Sequence, residues 1–149
     1  MVPSLIMLHI YDKIPNESFN IVRGKLKKLD KIGLAKIVIG LPALKLHNVS
    51  MVFWVGSVIL GIFGVGRFMI GDKLLGFLKV TLLFLSYILL AASLALALFP
   101  DYATLAVSLM IAGYVGLILC TIWWGIDIFI ISTKTKRVNL NKILMLFTL

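Results

Sequence analysis

Three long apolar runs occupy residues 49–66, 74–99 and 105–131 of the chain, and Lys79 and Asp127 are the only charged residues inside them. A membrane hydrocarbon core about 30 Å thick takes about 20 helical residues, so the last two runs exceed that length and the first nearly reaches it. Pro100 and Asp101 favour a tight turn between the second and third runs. The pattern predicts an all-α integral membrane protein with three transmembrane helices, near 49–69, 74–99 and 103–132.

The first 48 residues have a shorter and more polar helical pattern, which predicts a small helical N-terminal segment. Apolar side chains recur at helical spacing at Phe19, Val22, Leu26 and Leu29. Asn16 is a candidate N-cap for this helix, and Asp30 is one for a second helix over 31–41 that Pro42 would end. Two interpretations stay open, since the apolar faces could pack on each other or the segment could lie on anionic headgroups.

Composition supports the membrane assignment. The chain is 61% hydrophobic with a mean hydropathy of +1.09, and only 14% of its residues are charged. A chain of 149 residues cannot bury that much apolar surface in water. This excludes an ordinary soluble enzyme, a disordered tail and a disulfide-stapled secreted domain, the last because Cys120 is the only cysteine.

The net charge of +9 is carried by residues that flank the apolar runs. This placement favours anionic membrane lipids as partners and argues against nucleic acid. The candidate membrane-surface cations are Arg23, Lys25, Lys27, Lys28 and Lys31. We therefore divide the chain into a basic amphipathic helical leader (1–48), a transmembrane domain (49–133) and a basic, apolar C-terminal tail (134–149). With three spans, eight Lys and Arg would face seven across the membrane, which leaves the orientation undecided.

The loop after the first apolar run carries the most specific motif. The sequence reads GIFGVGRFMIGDKLLGFLK from Gly61 to Lys79, and IWWGID from Ile122 to Asp127. The pattern resembles the TM-two domain family, on the residues Gly61, Gly64, Arg67, Phe68, Gly71, Gly76, Lys79, Trp123 and Asp127. The resemblance implies a bacterial-type member with a basic helical leader, in the bacterial cytoplasmic membrane, without a defined biochemical activity.

Two features depart from that family. Gly66 stands where the family often has Asp, and residues 81–119 lengthen the region between the Arg-Phe motif and the Trp and Asp helix. The family usually has two spans with both chain ends on one side of the membrane. The lengthened region predicts a different topology for this chain.

Ionisable residues at membrane depth are expensive, at about 2.5–3.5 kcal/mol each, and they usually face protein or water. In a three-span chain Arg67 and Asp127 reach the same membrane side, so the two can pair, with Lys79 and Asp72 as further candidate members. The alternatives are a structural ion pair, a proton or ion relay, and solvent exposure at the interface. Gly64, Phe68, Gly71 and Gly76 are predicted to form the motif turn, where glycines allow close backbone approach.

Two polar or small-residue stripes could mediate helix contacts. On the third span, Ser108, Ala112, Gly116 and Cys120 follow at i+4 steps and form a candidate packing seam, within the chain or in a homo-oligomer. On the second span, Lys79, Ser86 and Ser93 lie seven residues apart. This stripe could form interhelical hydrogen bonds or line a water-filled path, and Lys79 could also extend to the headgroups.

The sequence gives no sign of catalysis. His9 and His47 have no partners at metal-ligand spacing, and no phosphate-binding loop is present. The serines of the apolar runs have no nearby histidine base; they are Ser57, Ser86, Ser93 and Ser108. We therefore expect no enzymatic activity, no metal and no cofactor. The prediction is a non-catalytic membrane module that binds or scaffolds a homo-oligomer or a membrane protein partner. The alternatives are a homo-oligomeric pore or ion conduit and an accessory subunit of an envelope or transport complex.

Overall fold

A computed structural model describes residues 2–148 of the chain, and these residues are helical with no strand. We number the α-helices in chain order. They are α1 (Val2–Ile10), α2 (Phe19–Lys27), α3 (Lys31–Ala43), α4 (Val49–Ile59), α5 (Val65–Met69), α6 (Lys73–Leu96) and α7 (Ala103–Leu146). Short 3-10 helices cover Tyr11–Lys13, Asn16–Ser18, Gly61–Phe63 and Pro100–Tyr102. The predicted all-α class is confirmed for the described residues.

The chain divides into two compact units. Unit 1 contains Met1–Val52 and Ile131–Leu149, and unit 2 contains Phe53–Ile130. Helix α7 contributes to both units, because the predicted C-terminal tail continues the same helix as far as Leu146.

Unit 1 has an apolar core between its short helices and the end of α7. Its buried members are Ile6, Met7, Ile10, Ile14, Val22, Leu26, Ile37, Leu41 and Ile143. Phe19 and Leu29 pack against this core, so the predicted apolar stripe of α2 faces protein. Asp30 caps α3 as predicted, since its carboxylate accepts a 2.7 Å hydrogen bond from the Gly33 backbone N–H.

Two predicted helix ends in unit 1 are wrong. Asn16 begins a 3-10 turn, and the α-helix starts only at Phe19 without a side-chain cap. Pro42 lies inside the last turn of α3, which ends at Ala43. A proline removes only its own N–H bond, and the chain can complete one more helical residue before it turns.

Unit 2 is built on an antiparallel pair formed by α6 and α7. Gly113 faces Leu90 and Gly116 faces Ser86, so α7 presents glycines where α6 presents larger side chains. Nearer the other end of the pair, Lys79 of α6 reaches Asp127 of α7. These two helices are long and apolar enough to cross a membrane, judged by length and composition.

The predicted single helix over 49–69 is not present. Helix α4 becomes a π-helix over Val52–Ile59, and the chain then turns through Gly61–Phe63 into α5. A Cβ on Gly56 would lie 2.8 Å from the Gly66 Cα, although ten residues of straight helix would separate them by about 15 Å. The chain therefore reverses here, and glycines at both positions allow the contact.

Residues that precede and follow the apolar region belong to the same unit. Asn139 is hydrogen-bonded to the backbone of Lys13 and of His47, so residues on both sides of the apolar region meet in unit 1. Within residues 2–148, two helices, α6 and α7, are long and apolar enough to cross a membrane, where the sequence pattern predicted three.

Candidate functional site: a buried charge cluster in the apolar unit

Helix α5 packs closely on α4 where Gly66 meets Gly56 and Ser57, and this contact directs Arg67 into the interior of unit 2. A Cβ on Gly66 would lie 2.7 Å from the Ser57 Oγ and 3.0 Å from the Gly56 carbonyl oxygen. Only glycine fits this approach without displacing the backbone. Arg67 follows directly, and its side chain is buried at 8% exposure.

Asp127 of α7 receives hydrogen bonds from two cations. Arg67 Nε donates to Asp127 Oδ1 at 3.1 Å, and Arg67 Nη2 donates to the same oxygen. Lys79 Nζ donates to Asp127 Oδ2 at 2.9 Å. Arg67 Nη1 also donates to Asp72 Oδ2 at 3.0 Å. We call Arg67, Asp72, Lys79 and Asp127 the charge cluster.

The charge cluster is both buried and balanced. Lys79, Asp127 and Arg67 are 0%, 3% and 7% exposed, while the side chain of Asp72 is 21% exposed. Two cations face two carboxylates, so the cluster is formally neutral. A buried charge without a partner costs several kcal/mol, and the mutual contacts offset that cost. The guanidinium serves two carboxylates at once, which a lysine ammonium could not do with the same planar geometry.

The burial of Lys79 favours its candidate place in the ion-pair set over the alternative in which it extends to the headgroups. Its side chain is fully buried and points to Asp127. Ser86 and Ser93, on the same stripe, are also buried and donate to the carbonyls of Leu82 and Leu90 in their own helix. The stripe therefore faces protein within one chain, because Lys79 needs the carboxylate that α7 supplies.

The predicted motif turn lies beside the charge cluster. Gly64 and Gly71 have φ values of +69° and +84°, which favour glycine. A Cβ on Gly64 would approach the Gly76 carbonyl oxygen to 3.1 Å, and one on Gly76 would meet the Phe68 ring at 2.8 Å. The Phe68 ring also packs edge-on against Phe77. The four motif residues thus bring α5 and the start of α6 close together.

Two of the four residues of the predicted packing seam on α7 are buried within the chain, and the other two are left for the homo-oligomer alternative. Gly116 and Cys120 are buried, but Ser108 and Ala112 are exposed. The buried face runs instead through Ala106, Gly113, Gly116, Cys120 and Asp127. Repeated i+4 steps drift around a helix of 3.6 residues per turn, so a buried face needs alternating steps of three and four.

Trp124 has a packing role that the sequence pattern did not predict. Its indole Nε1 donates to the Ser57 carbonyl at 2.7 Å, and its ring covers Gly61, where a Cβ would lie 2.7 Å from the indole. The side chain is half-buried. Trp124 therefore ties α7 to the segment that contains Arg67.

Unit 1 contains a separate polar contact, centred on Asn139, that sequence reasoning also missed. The fully buried side chain donates to the Lys13 carbonyl at 3.1 Å and to the His47 carbonyl at 2.9 Å, and accepts from the His47 N–H at 2.8 Å. Its only sequence signal is a short polar side chain at i+4 from Thr135, which is also fully buried. We call this contact the Asn139 clasp.

His47 lies next to the clasp and to a lysine. Lys142 Nζ lies 3.1 Å from His47 Nε2, so the neutral ring accepts a hydrogen bond from the ammonium. Burial lowers the pKa of His47, and the positive charge of Lys142 lowers it further. The imidazole is therefore held in its neutral form.

The candidate membrane-surface cations are all exposed in unit 1. They are Arg23, Lys25, Lys27, Lys28 and Lys31. The Lys25 ammonium lies 5.7 Å from the centre of the Phe147 ring, within cation–π range. Among residues 2–148, no group of three or more His, Cys, Asp or Glu side chains is arranged to hold a metal ion.

No protein-family model, curated protein or solved structure matches this chain. The resemblance to the TM-two domain family therefore stays a prediction that rests on the motif residues.

Proposed function

We propose that the protein is a non-catalytic membrane module of TM-two type that crosses the bilayer twice, through α6 and α7, and presents unit 1 as a binding or scaffolding surface. The charge cluster is the observation that carries this proposal. Its four ionisable groups satisfy one another inside unit 2, as a structural lock requires. The surfaces of α6 and α7 carry exposed apolar side chains such as Phe84, Ile88 and Ile118, which lipid would cover.

The proposed topology places both chain ends on one side of the membrane. Residues before α4 and residues after Ile131 belong to the same unit, which requires an even number of crossings between them. The segment 53–71 then enters and leaves on that side, because the chain reverses within it. This agrees with the topology that the family resemblance implies.

The distribution of charge supports a cytoplasmic position for unit 1. Twelve of the fifteen Lys and Arg residues lie in unit 1, and on the same side Arg67 precedes α6 while Lys73 is its first residue. The turn between α6 and α7 contains Asp101 and no cation. The positive-inside rule therefore favours an orientation with unit 1 in the cytoplasm, and the family resemblance implies the bacterial cytoplasmic membrane. The three-span model left eight Lys and Arg residues on one membrane side and seven on the other. With both chain ends on one side, this near-equal division no longer applies.

The pore alternative is less well supported. A conduit built from the Lys79, Ser86 and Ser93 stripe needs these side chains to face a lumen between copies, and they are buried within one chain. A relay through Asp127 needs a carboxylate that can exchange its proton, but this one accepts hydrogen bonds from two cations. Both arrangements favour a structural role for the cluster.

Cysteine labelling tests the proposed topology. Asn16→Cys, Tyr102→Cys and Asn141→Cys place a thiol at three exposed positions, and native Cys120 is fully buried and serves as the unlabelled background. In right-side-out vesicles a membrane-impermeant maleimide should label position 102 only. In inverted vesicles it should label positions 16 and 141. Labelling of 16 and 141 from opposite sides would overturn the two-crossing proposal.

Reconstitution tests the non-conducting role. Liposomes that contain the purified protein should show ion flux equal to that of empty liposomes, at protein densities that allow oligomers. Lys79→Met is the matched variant, because it removes the only charge of the buried stripe on α6. Ion flux that requires the protein and changes with Lys79→Met would overturn the scaffold proposal and support the ion conduit.

A further inference from the structure

The outer surface of α1 carries apolar side chains although it belongs to the charged unit. One side of α1 packs into the unit 1 core through Ile6, Met7 and Ile10. The opposite side carries Leu5 and Leu8, which are 63% and 74% exposed. A short helix that is apolar on both sides needs a second apolar environment on its outer side.

Two grooves flank this ridge. Between α1 and α2, a groove of about 260 Å³ has Met7, Leu8, Tyr11 and Phe19 in its lining, and Arg23 and Lys27 also line it. Between α1 and α3, a groove of about 500 Å³ is lined by Leu5, His9, Val38 and Pro42 among others. We call the ridge and its two grooves the α1 surface.

We propose that the α1 surface docks into the headgroup and acyl boundary of an anionic phospholipid bilayer. Leu5, Leu8 and the groove linings contact acyl chains, while Arg23 and Lys27 bind lipid phosphates. This inference rests on the membrane placement proposed above and identifies which face of unit 1 contacts lipid. The sequence pattern left open whether the stripe of α2 contacts lipid, and the structure buries Val22 and Leu26 in the core.

The chemistry of the α1 surface matches an anionic amphiphile. One groove combines an apolar lining with two cations, which pairs the acyl and phosphate parts of a phospholipid. Unit 1 has twelve basic and three acidic side chains, so its formal charge is +9. A cation near an anionic membrane surface gains about 1 kcal/mol. A second copy is a poor occupant, since two units of charge +9 repel each other.

A fluorescent probe on full-length protein in nanodiscs tests this inference. Leu8→Cys carries the probe on the α1 surface, and Ile88→Cys carries it on the exposed face of α6. Lys28→Cys is the matched control, since Lys28 is exposed directly after α2 and absent from the groove lining. The quencher is a lipid brominated in its acyl chains, in discs with anionic phosphatidylglycerol or with phosphatidylcholine alone.

The probe at position 8 should be quenched in anionic discs and much less in neutral discs, while the probe at position 28 stays unquenched in both. Arg23→Gln with Lys27→Gln should lower the ratio of docked to undocked protein about 30-fold. Lys28→Gln with Lys36→Gln removes the same charge away from the groove next to α1, and we expect a smaller loss.

Three results would overturn the inference. The first is a probe at position 8 that stays solvent-exposed in every lipid. The second is quenching at position 8 that depends neither on lipid charge nor on the Arg23→Gln with Lys27→Gln variant. The third is shielding of the probe that occurs only when each disc holds two copies of the protein. The probe at position 88 distinguishes failure of the docking inference from failure of the proposed function. It should be quenched in both lipids, and loss of that quenching would instead overturn the membrane placement of α6.

Discussion

The two units place their charged residues in opposite locations, unit 2 in its interior and unit 1 on its surface. Unit 2 has three basic and three acidic residues, and four of these six groups form the charge cluster in its interior beneath an apolar surface. Unit 1 has an apolar core and carries its excess of nine positive charges on a surface exposed to solvent. The whole net charge of the protein therefore belongs to unit 1.

This difference is the one expected if the proposed membrane placement holds. Exposed apolar helices around a balanced, buried set of ions suit a lipid surrounding, where every ion needs a protein partner. An apolar core beneath cations suits water next to an anionic surface. The polar contacts differ accordingly, because unit 2 is locked by ion pairs and unit 1 by the uncharged Asn139 clasp.

The largest expected effect is the loss of the carboxylate in the charge cluster. Asp127→Asn leaves Arg67 and Lys79 buried with only Asp72 as a counter-charge, and breaking a buried pair costs about 3–5 kcal/mol. We expect a large fall in unfolding midpoint in detergent. Asp101→Asn is the control, because Asp101 is exposed in the turn and should change stability by less than about 0.5 kcal/mol.

A double-mutant cycle sharpens this result. Arg67→Ala combined with Asp127→Asn should destabilise unit 2 by much less than the sum of the single changes, since the two groups share one contact. Strict additivity would show that the pair does not form in the folded protein. Intact stability with lost ion movement would favour a relay over a structural lock.

The next effect should fall on unit 1. Asn139→Ala leaves three backbone groups of Lys13 and His47 without their partner and should cost about 2–4 kcal/mol. Hydrogen exchange should accelerate for amides of residues 2–48, while α6 stays protected. Asn141→Ala removes an exposed amide two residues away and is the control. Equal exchange in both variants would show that the clasp does not hold unit 1.

A smaller effect tests the observed packing face of α7. Gly116→Ala places a methyl group against Ser86 and should destabilise by about 1–3 kcal/mol, although alanine is the better helix former. Ala112→Val lies on the exposed side and should be nearly neutral. Both variants are compared by thermal unfolding in the same detergent. A larger loss of stability for Ala112→Val than for Gly116→Ala would support the i+4 seam and contradict the packing of α6 on α7.

The smallest effect concerns pH and unit 1 alone. The pKa of His47 is lower in the folded protein than its ordinary value near 6.5, so the unfolded chain binds the proton more readily. The stability that comes from neutral His47 is complete above about pH 6.5 and is lost as the pH falls through the folded pKa. His47→Gln should flatten this dependence between about pH 5 and 7, and an unchanged slope would contradict the assignment.

Local sequence patterns predicted the helical class, the two longest apolar helices and the residue types of the charge cluster. Hydrophobic periodicity and run length are local properties, and the cost of an ion in an apolar run already indicates that Arg67, Lys79 and Asp127 need partners. The cap at Asp30 followed from local chemistry in the same way.

Only the tertiary structure decided how these elements meet. The reversal between Gly56 and Gly66, the inward position of Lys79 and the Asn139 clasp depend on contacts between residues far apart in sequence. A hydropathy run measures length in residues and does not report a turn that glycines permit, so 49–69 was predicted as one span. In the proposed membrane placement, the contact between Asn139 and His47 requires an even number of crossings, because a hydrogen bond of 2.9 Å cannot bridge a bilayer about 30 Å thick.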